Sequence, residues 1–227
     1  MYYQFIMDKV HDAIYSIGER LTADDSYVSC VDLEYNPAKG IIPRGLIYKD
    51  EGRDINGMGC VMVGLNPGKA SDKERAFFAS GTPTYEKFLS YWKANILQHP
   101  YYKRLRKIAD ELEFRGPILW TELVKCQSKE NGQLSVQTIR DDINKYLFKE
   151  LEVIPADWPL FGIGGKAFEI LSYRFPDRLV LGVPHPTGSY GLFPKLFENQ
   201  KLKQDIYNRI QEIIKVKKTI AIMLNGK

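Results

Sequence analysis

Two short segments of this 227-residue chain carry residue types that could do chemistry. The first is Gly64-Leu65-Asn66-Pro67-Gly68, at the end of the apolar run Cys60–Leu65. The second, far downstream, is Val183-Pro184-His185-Pro186-Thr187-Gly188-Ser189. Both are short β-type hydrophobic stretches that break into Gly/Pro-rich turns around one polar side chain. In an open parallel sheet, ligands and catalytic groups collect at the carboxyl ends of the strands. An Asn and a His delivered there from two strands can divide one reaction. The Asn holds a nucleophile, and the His supports a leaving group. Each also has a plainer reading. Asn66 alone can be an Asx-turn shaping a corner, and His185 a loop histidine that only donates a hydrogen bond.

The elements that must position these residues follow from periodicity. An apolar stripe (Phe5, Ile6, Val10, Ile14, Ile17) predicts a helix over 2–21. Residues 22–57 are rich in turn formers and predict an irregular approach with one short strand. A βα rhythm then begins. Strands are expected over 59–65, 117–124, 158–163 and 179–183. Helices are expected over 83–97, 101–114, 135–151 (Ser135 as N-cap), 166–173 and 195–218. Strands alternating with helices imply α/β architecture: a three-layer α/β/α fold with a central, mainly parallel four-stranded sheet. The length fits a single domain, 1–227. Residues 1–57 form the approach, 58–194 the motif-bearing core, and 195–227 the terminal helix.

Every expected strand end carries polar or glycine-rich chemistry. After Asn66 come Thr121-Glu122-Leu123-Val124-Lys125-Cys126, then Gly162-Ile163-Gly164-Gly165-Lys166-Ala167, then His185-Pro186. This ordered set of four resembles the motifs of the uracil-DNA glycosylase superfamily, over roughly residues 59–200. The resemblance implies hydrolysis of the N-glycosidic bond of a deaminated or damaged base, such as uracil, in DNA. It makes Asn66 and His185 the catalytic pair: Asn66 orients water, and His185 stabilises the departing base anion. It places Gly64, Leu65, Phe78 and Glu122 at the base. Phe78, of the pair Phe77-Phe78, is the better match to the stacking ring; the plainer reading is core packing, which one of the two is expected to do. Lys69, Gly164, Gly165, Lys166, Thr187, Gly188 and Ser189 face DNA phosphates, and Tyr190 and Leu192 are candidates for a wedge filling the vacated stack.

Glu122 departs from the pattern. The resembled family commonly has an Asn there, whose amide both donates and accepts at the base edge, whereas a carboxylate only accepts. Three explanations stay open: a base that presents donors, a protonated Glu122, or readout by backbone. The first-motif Asn makes the chain look most like mismatch- or single-strand-directed branches. Iron–sulfur branches use four cysteines, and this chain has three (Cys30, Cys60, Cys126) with no Cys-x-x-Cys spacing. No cofactor or metal is therefore expected, and buried free thiols point to a reducing, cytoplasmic setting.

Rival motifs fail on detail. Gly64–Ala70 is one residue short of a P-loop between its glycines, and Ala70 stands where Mg²⁺ needs Ser/Thr. Gly162-x-Gly164-x-x-Ala167 matches the dinucleotide fingerprint formally, but its acidic follower, Asp177, comes too early. The net charge of +4 permits a polyanionic partner without demanding one. DNA is the expected partner and a monomer the expected state; no membrane or signal segment is expected. The alternative from another class is a non-catalytic nucleic-acid or nucleotide binder built on the same fold.

Overall fold

The computed structural model describes residues 2–49, 52–130, 133–187, 199–216 and 219–224. Its strands form one sheet in the order β1-β3-β2-β4-β5-β6. These are β1 (Ile47–Lys49), β2 (Cys60–Gly64), β3 (Ile118–Glu122), β4 (Leu160–Ile163), β5 (Val180–Val183) and β6 (Ala221–Met223). β2 pairs with β4 in parallel (Val61 opposite Leu160), β4 with β5 (Phe161 opposite Leu181), and β5 with β6 (Leu181 opposite Ile222). Every residue of β2, β4 and β5 is buried. That is why their sequences are continuous apolar runs without alternation.

Among the described residues the sheet has six strands, which corrects the expected four. The two strands beyond those four, β1 and β6, are three residues each and stand at the two ends of the order; β1 falls in the stretch 22–57, where a short strand was expected. Such short edges leave little unpaired backbone exposed.

The helices are α1 (Tyr2–Thr22), α2 (Asp72–Ala79), α3 (Tyr85–Tyr91), α4 (Pro100–Glu111), α5 (Val136–Asp142), α6 (Phe148–Val153), α7 (Gly165–Arg174) and α8 (Gln200–Lys215). Two departures have local causes. The helix expected over 135–151 is α5 and α6 joined by a π-helical turn, Ile143–Leu147. A second π-turn, Trp92–Ile96, continues α3. Helix α2 was not expected; the hydroxyl of Ser71 caps it by accepting from Glu74 N. Ser135 caps α5 as anticipated, its Oγ accepting from Thr138 N.

Contacts divide the chain into two compact units. The first comprises Met1–Tyr48, Asn66–His99 and Trp120–Ile154. Its core includes Ile14, Leu21, Leu46, Phe78, Tyr85, Leu123 and Leu147. Val10, Ile14, Ile17 and Leu21 form the buried stripe of α1. The second unit comprises Lys49–Leu65, Pro100–Leu119 and Pro155–Lys227. Its core includes Val61, Val63, Leu105, Phe114, Phe161 and Leu181. Here α7 rests directly on β4 and β5. A Cβ on Gly162 would lie 2.6 Å from Phe168 Cα, and one on Gly182 would lie 2.7 Å from the Phe168 ring. Glycine at both positions permits that approach. No helix among the described residues is long and apolar enough to cross a membrane.

Candidate functional site

The first unit holds the loop that follows β2. Gly64 ends the strand; Leu65 and Asn66 are partly exposed. The Asn66 amide nitrogen donates to Pro67 O at 3.2 Å. An Asx-turn would have the side chain accept from the backbone, so this contact runs the other way. Donation by the amide leaves its carbonyl oxygen as the group suited to accept from a water.

Arg44 and Gln127 fix the loop beyond Asn66. Arg44 is 6% exposed. Its Nη2 donates to Gly68 O and, at 3.1 Å, to Gln127 Oε1, and its Nε lies 3.3 Å from Glu74 Oε1. Gln127 Oε1 also accepts from Ala70 N at 2.8 Å. Lys69 pairs with Glu34 at 3.1 Å and donates to Lys129 O at 2.8 Å. Its charge is thus already engaged within the protein.

The exit of β3 is a buried polar network. Lys125 and Glu150 have fully buried side chains 2.8 Å apart (Nζ to Oε1). Lys125 Nζ also donates to Glu122 O at 2.7 Å and to Thr121 Oγ1. Thr121 Oγ1 donates to Glu150 Oε2 at 2.6 Å. Lys125 N donates to Asp142 Oδ2 at 2.7 Å, and Tyr27 OH donates to the same carboxylate at 3.0 Å. Burial raises Asp142 to about 6.

Glu122 lies at the end of this strand. A Cβ on Gly45, where φ is +94°, would lie 2.7 Å from Glu122 Cγ and 3.5 Å from Pro67 Cγ. The Glu122 side chain therefore shares the neighbourhood of the Asn66-Pro67 loop. The residue is partly exposed, but its Oε2 is enclosed and accepts no hydrogen bond. Burial pushes this carboxyl up to about 8, against the pull of Lys125 and Arg44.

The aromatic assignment needs correction. Phe78 is wholly buried, its ring 5.3 Å from Tyr91, 5.2 Å from Phe77 and stacked on Phe88 at 6.4 Å. It cannot serve as an open plate in this conformation. Phe77 is the partly exposed ring of the pair, with Lys87 Nζ 5.3 Å from its centroid.

The second unit joins the exits of β4 and β5. Gly164 has φ +84° and precedes α7, and its N–H donates to Val183 O at 2.8 Å. A Cβ there would lie 3.9 Å from His185 Cβ. Gly165 and Lys166 are exposed, and a Cβ on Gly165 would meet nothing within 4 Å. His185 is held through its Nδ1, which accepts from Thr187 N at 3.3 Å and lies 3.1 Å from Thr187 Oγ1. An accepting Nδ1 places the proton of the neutral ring on Nε2. Burial holds His185 below the usual imidazole range, so the neutral form prevails near pH 7. Tyr101 packs 5.5 Å from the imidazole, and Arg104 Nη1 donates to Pro186 O at 2.5 Å.

Tyr101 and Arg104 were not anticipated. They lie three apart on α4, where i and i+3 share a face. Gly188, Ser189, Tyr190 and Leu192 lie outside the described residues. A groove of about 800 Å³ in the same unit is lined by Arg53, Lys103, Arg106, Asp110 and Lys203 among others. Its lining carries six cations and three carboxylates, with Arg53 on Asp110 at 2.5 Å and Lys203 on Glu111 at 3.5 Å.

Comparison with protein-family models and with curated proteins finds no match.

Proposed function

We propose that this protein hydrolyses the N-glycosidic bond of a deaminated or damaged base in DNA, as a uracil-DNA-glycosylase-like base-excision repair enzyme. The observation that carries the reading is the orientation of His185. Its Nδ1 is occupied as an acceptor by Thr187 N. Its Nε2–H is then a neutral donor, the form that suits a base oxygen gaining negative charge. A cationic imidazole would instead tend to transfer its proton. One preorganised donor of this kind is worth about 3–4 kcal/mol.

The reaction balances without a strong base. The C1′–N bond breaks with its electron pair leaving on the base, and the sugar acquires oxocarbenium character. Asn66 Oδ1 accepts from the attacking water, whose oxygen bonds to C1′ as its proton departs to solvent. Gly165 and Lys166 would meet a DNA phosphate, since exposed N–H groups at a helix start favour anions, and Gly164, its own N–H on Val183 O, would set the turn that presents them. The fold we infer for it is the three-layer α/β/α sandwich, because parallel βα crossovers cover both sheet faces.

The second reading, a non-catalytic nucleic-acid or nucleotide binder, is favoured by the burial of Phe78 and the engagement of Lys69 with Glu34. One experiment separates the two. Labelled oligonucleotides carrying uracil, hypoxanthine, xanthine or mismatches are incubated with the protein and cleaved with alkali. Strand scission at the lesion that His185→Ala suppresses supports the enzyme. A mobility shift without scission refutes it.

A further inference from the structure

We infer that Glu122 reads the base as a neutral carboxylic acid, donating a hydrogen bond to a ring carbonyl and so admitting deaminated bases that a carboxylate would repel. This rests on the base-excision reading above. Deamination replaces an exocyclic amine, which donates, by a carbonyl oxygen, which accepts. A carboxylate at the reading position would prefer the amine and favour the undamaged base. A protonated carboxyl lifts that bias, because its O–H can donate to the carbonyl. Buried polar groups reject mismatched partners strongly, since the wrong base leaves them unpaired.

The geometry supplies the proton. The groups facing Glu122 are Lys125, Arg44 and Glu150. Lys125 is taken up by Glu150 at 2.8 Å, and Arg44 is 3.3 Å from Glu74 and holds Gly68 O and Gln127 through Nη2, while its Nη1 makes no hydrogen bond, to Glu122 or to any other group. Glu150 adds negative charge. Glu122 Oε2 is enclosed without a hydrogen-bond donor. A carboxylate here would hold one oxygen, Oε2, enclosed and without a hydrogen-bond donor, and binding a proton removes that cost. The elevation of the Glu122 carboxyl to about 8 agrees.

Two measurements on the full chain test this. Single-turnover release of uracil and hypoxanthine by the wild type should fall about tenfold per pH unit above roughly pH 8. Glu122→Gln, which stays neutral throughout, should give a flat profile whatever its absolute rate. In parallel, the infrared difference between wild type and Glu122→Gln should contain a protonated-carboxyl C=O band at pH 7 that vanishes by pH 10. Circular dichroism checks that the variant is folded. Absence of the band at pH 7 overturns the inference. If bases are released but both proteins show the same pH profile, this inference alone falls. If the wild type releases no base at any pH, the excision reading falls and takes the base-selecting role with it.

Discussion

Replacing Lys125 by Met should destabilise the protein far more than any single hydrogen bond would imply. Both side chains of the Lys125–Glu150 pair are 0% exposed. Lys125 Nζ places its three protons on Glu150 Oε2 at 3.0 Å, Thr121 Oγ1 and Glu122 O, and lies 2.8 Å from Glu150 Oε1. Met keeps most of the volume of the aliphatic stem, so cavity formation contributes little. What remains is a buried carboxyl group stripped of its cation. Removing one partner of such a pair costs about 3–5 kcal/mol. That is a large share of a typical stability of about 5–15 kcal/mol. With a urea slope of about 2 kcal/mol/M, the unfolding midpoint should drop by roughly 1.5–2.5 M. The assay is urea unfolding followed by circular dichroism. The double replacement Lys125→Met with Glu150→Leu removes both charges, so it should recover most of the loss. A loss below about 1 kcal/mol in the single variant would refute the reasoning. So would a double variant whose loss equals the sum of the two singles.

Four further outcomes are expected. His185→Ala and Asn66→Ala should each lower single-turnover excision by about 100- to 1000-fold while DNA binding by fluorescence anisotropy changes little. Excision should persist below the usual imidazole range on the acid side, because His185 holds its proton less tightly than a free imidazole; a pH–rate profile checks this. Phe78→Ala should cost about 3–5 kcal/mol in urea unfolding, and Phe77→Ala clearly less. Two contributions to stability should decline between about pH 4 and pH 8 in thermal melts. Asp142 and Glu122 are raised to about 6 and about 8, so folding favours their protonated forms. Their contributions are full below the unfolded values and are lost as pH rises through the folded ones. Glu122→Gln should flatten the upper part of that decline, and Asp142→Asn the lower part.

The parallel strands were legible because β2, β4 and β5 are buried on both faces, which leaves uninterrupted apolar runs between Gly and Pro. β6 was not, because three residues after a lysine-rich stretch carry almost no periodicity. Helix α2 was hidden by its polar sequence, DKERAFFA. That omission had a consequence at the site: without the helix, nothing said which of Phe77 and Phe78 faced inward. Asn66 and His185 were found because their turns punctuate strand ends. Arg44 and Gln127 were not, since they act on the Asn66 loop across 24 and 57 positions of chain. Local pattern carries no trace of such pairings. Glu122 was noticed as an anomaly, but whether it carries a proton depends on which neighbours Lys125 and Arg44 had already taken.

The π-turn between α5 and α6 makes this stretch unequally tolerant of changes in chain length. A π-turn accommodates one residue more than an α-helix does over the same rise. Deleting one residue within 143–147 would let α5 and α6 fuse into a continuous α-helix with both ends in phase, and Glu150 would still meet Lys125. Deleting one residue within Val136–Asp142 would leave the surplus residue in place and turn Asp142 and Ser135 out of step by about 100°. The first deletion should cost less than the second, and least where it spares the buried Ile143, Tyr146 and Leu147. Over evolutionary time, a gap of one residue should therefore settle in the wide turn, and sequences on either side of it should keep their length.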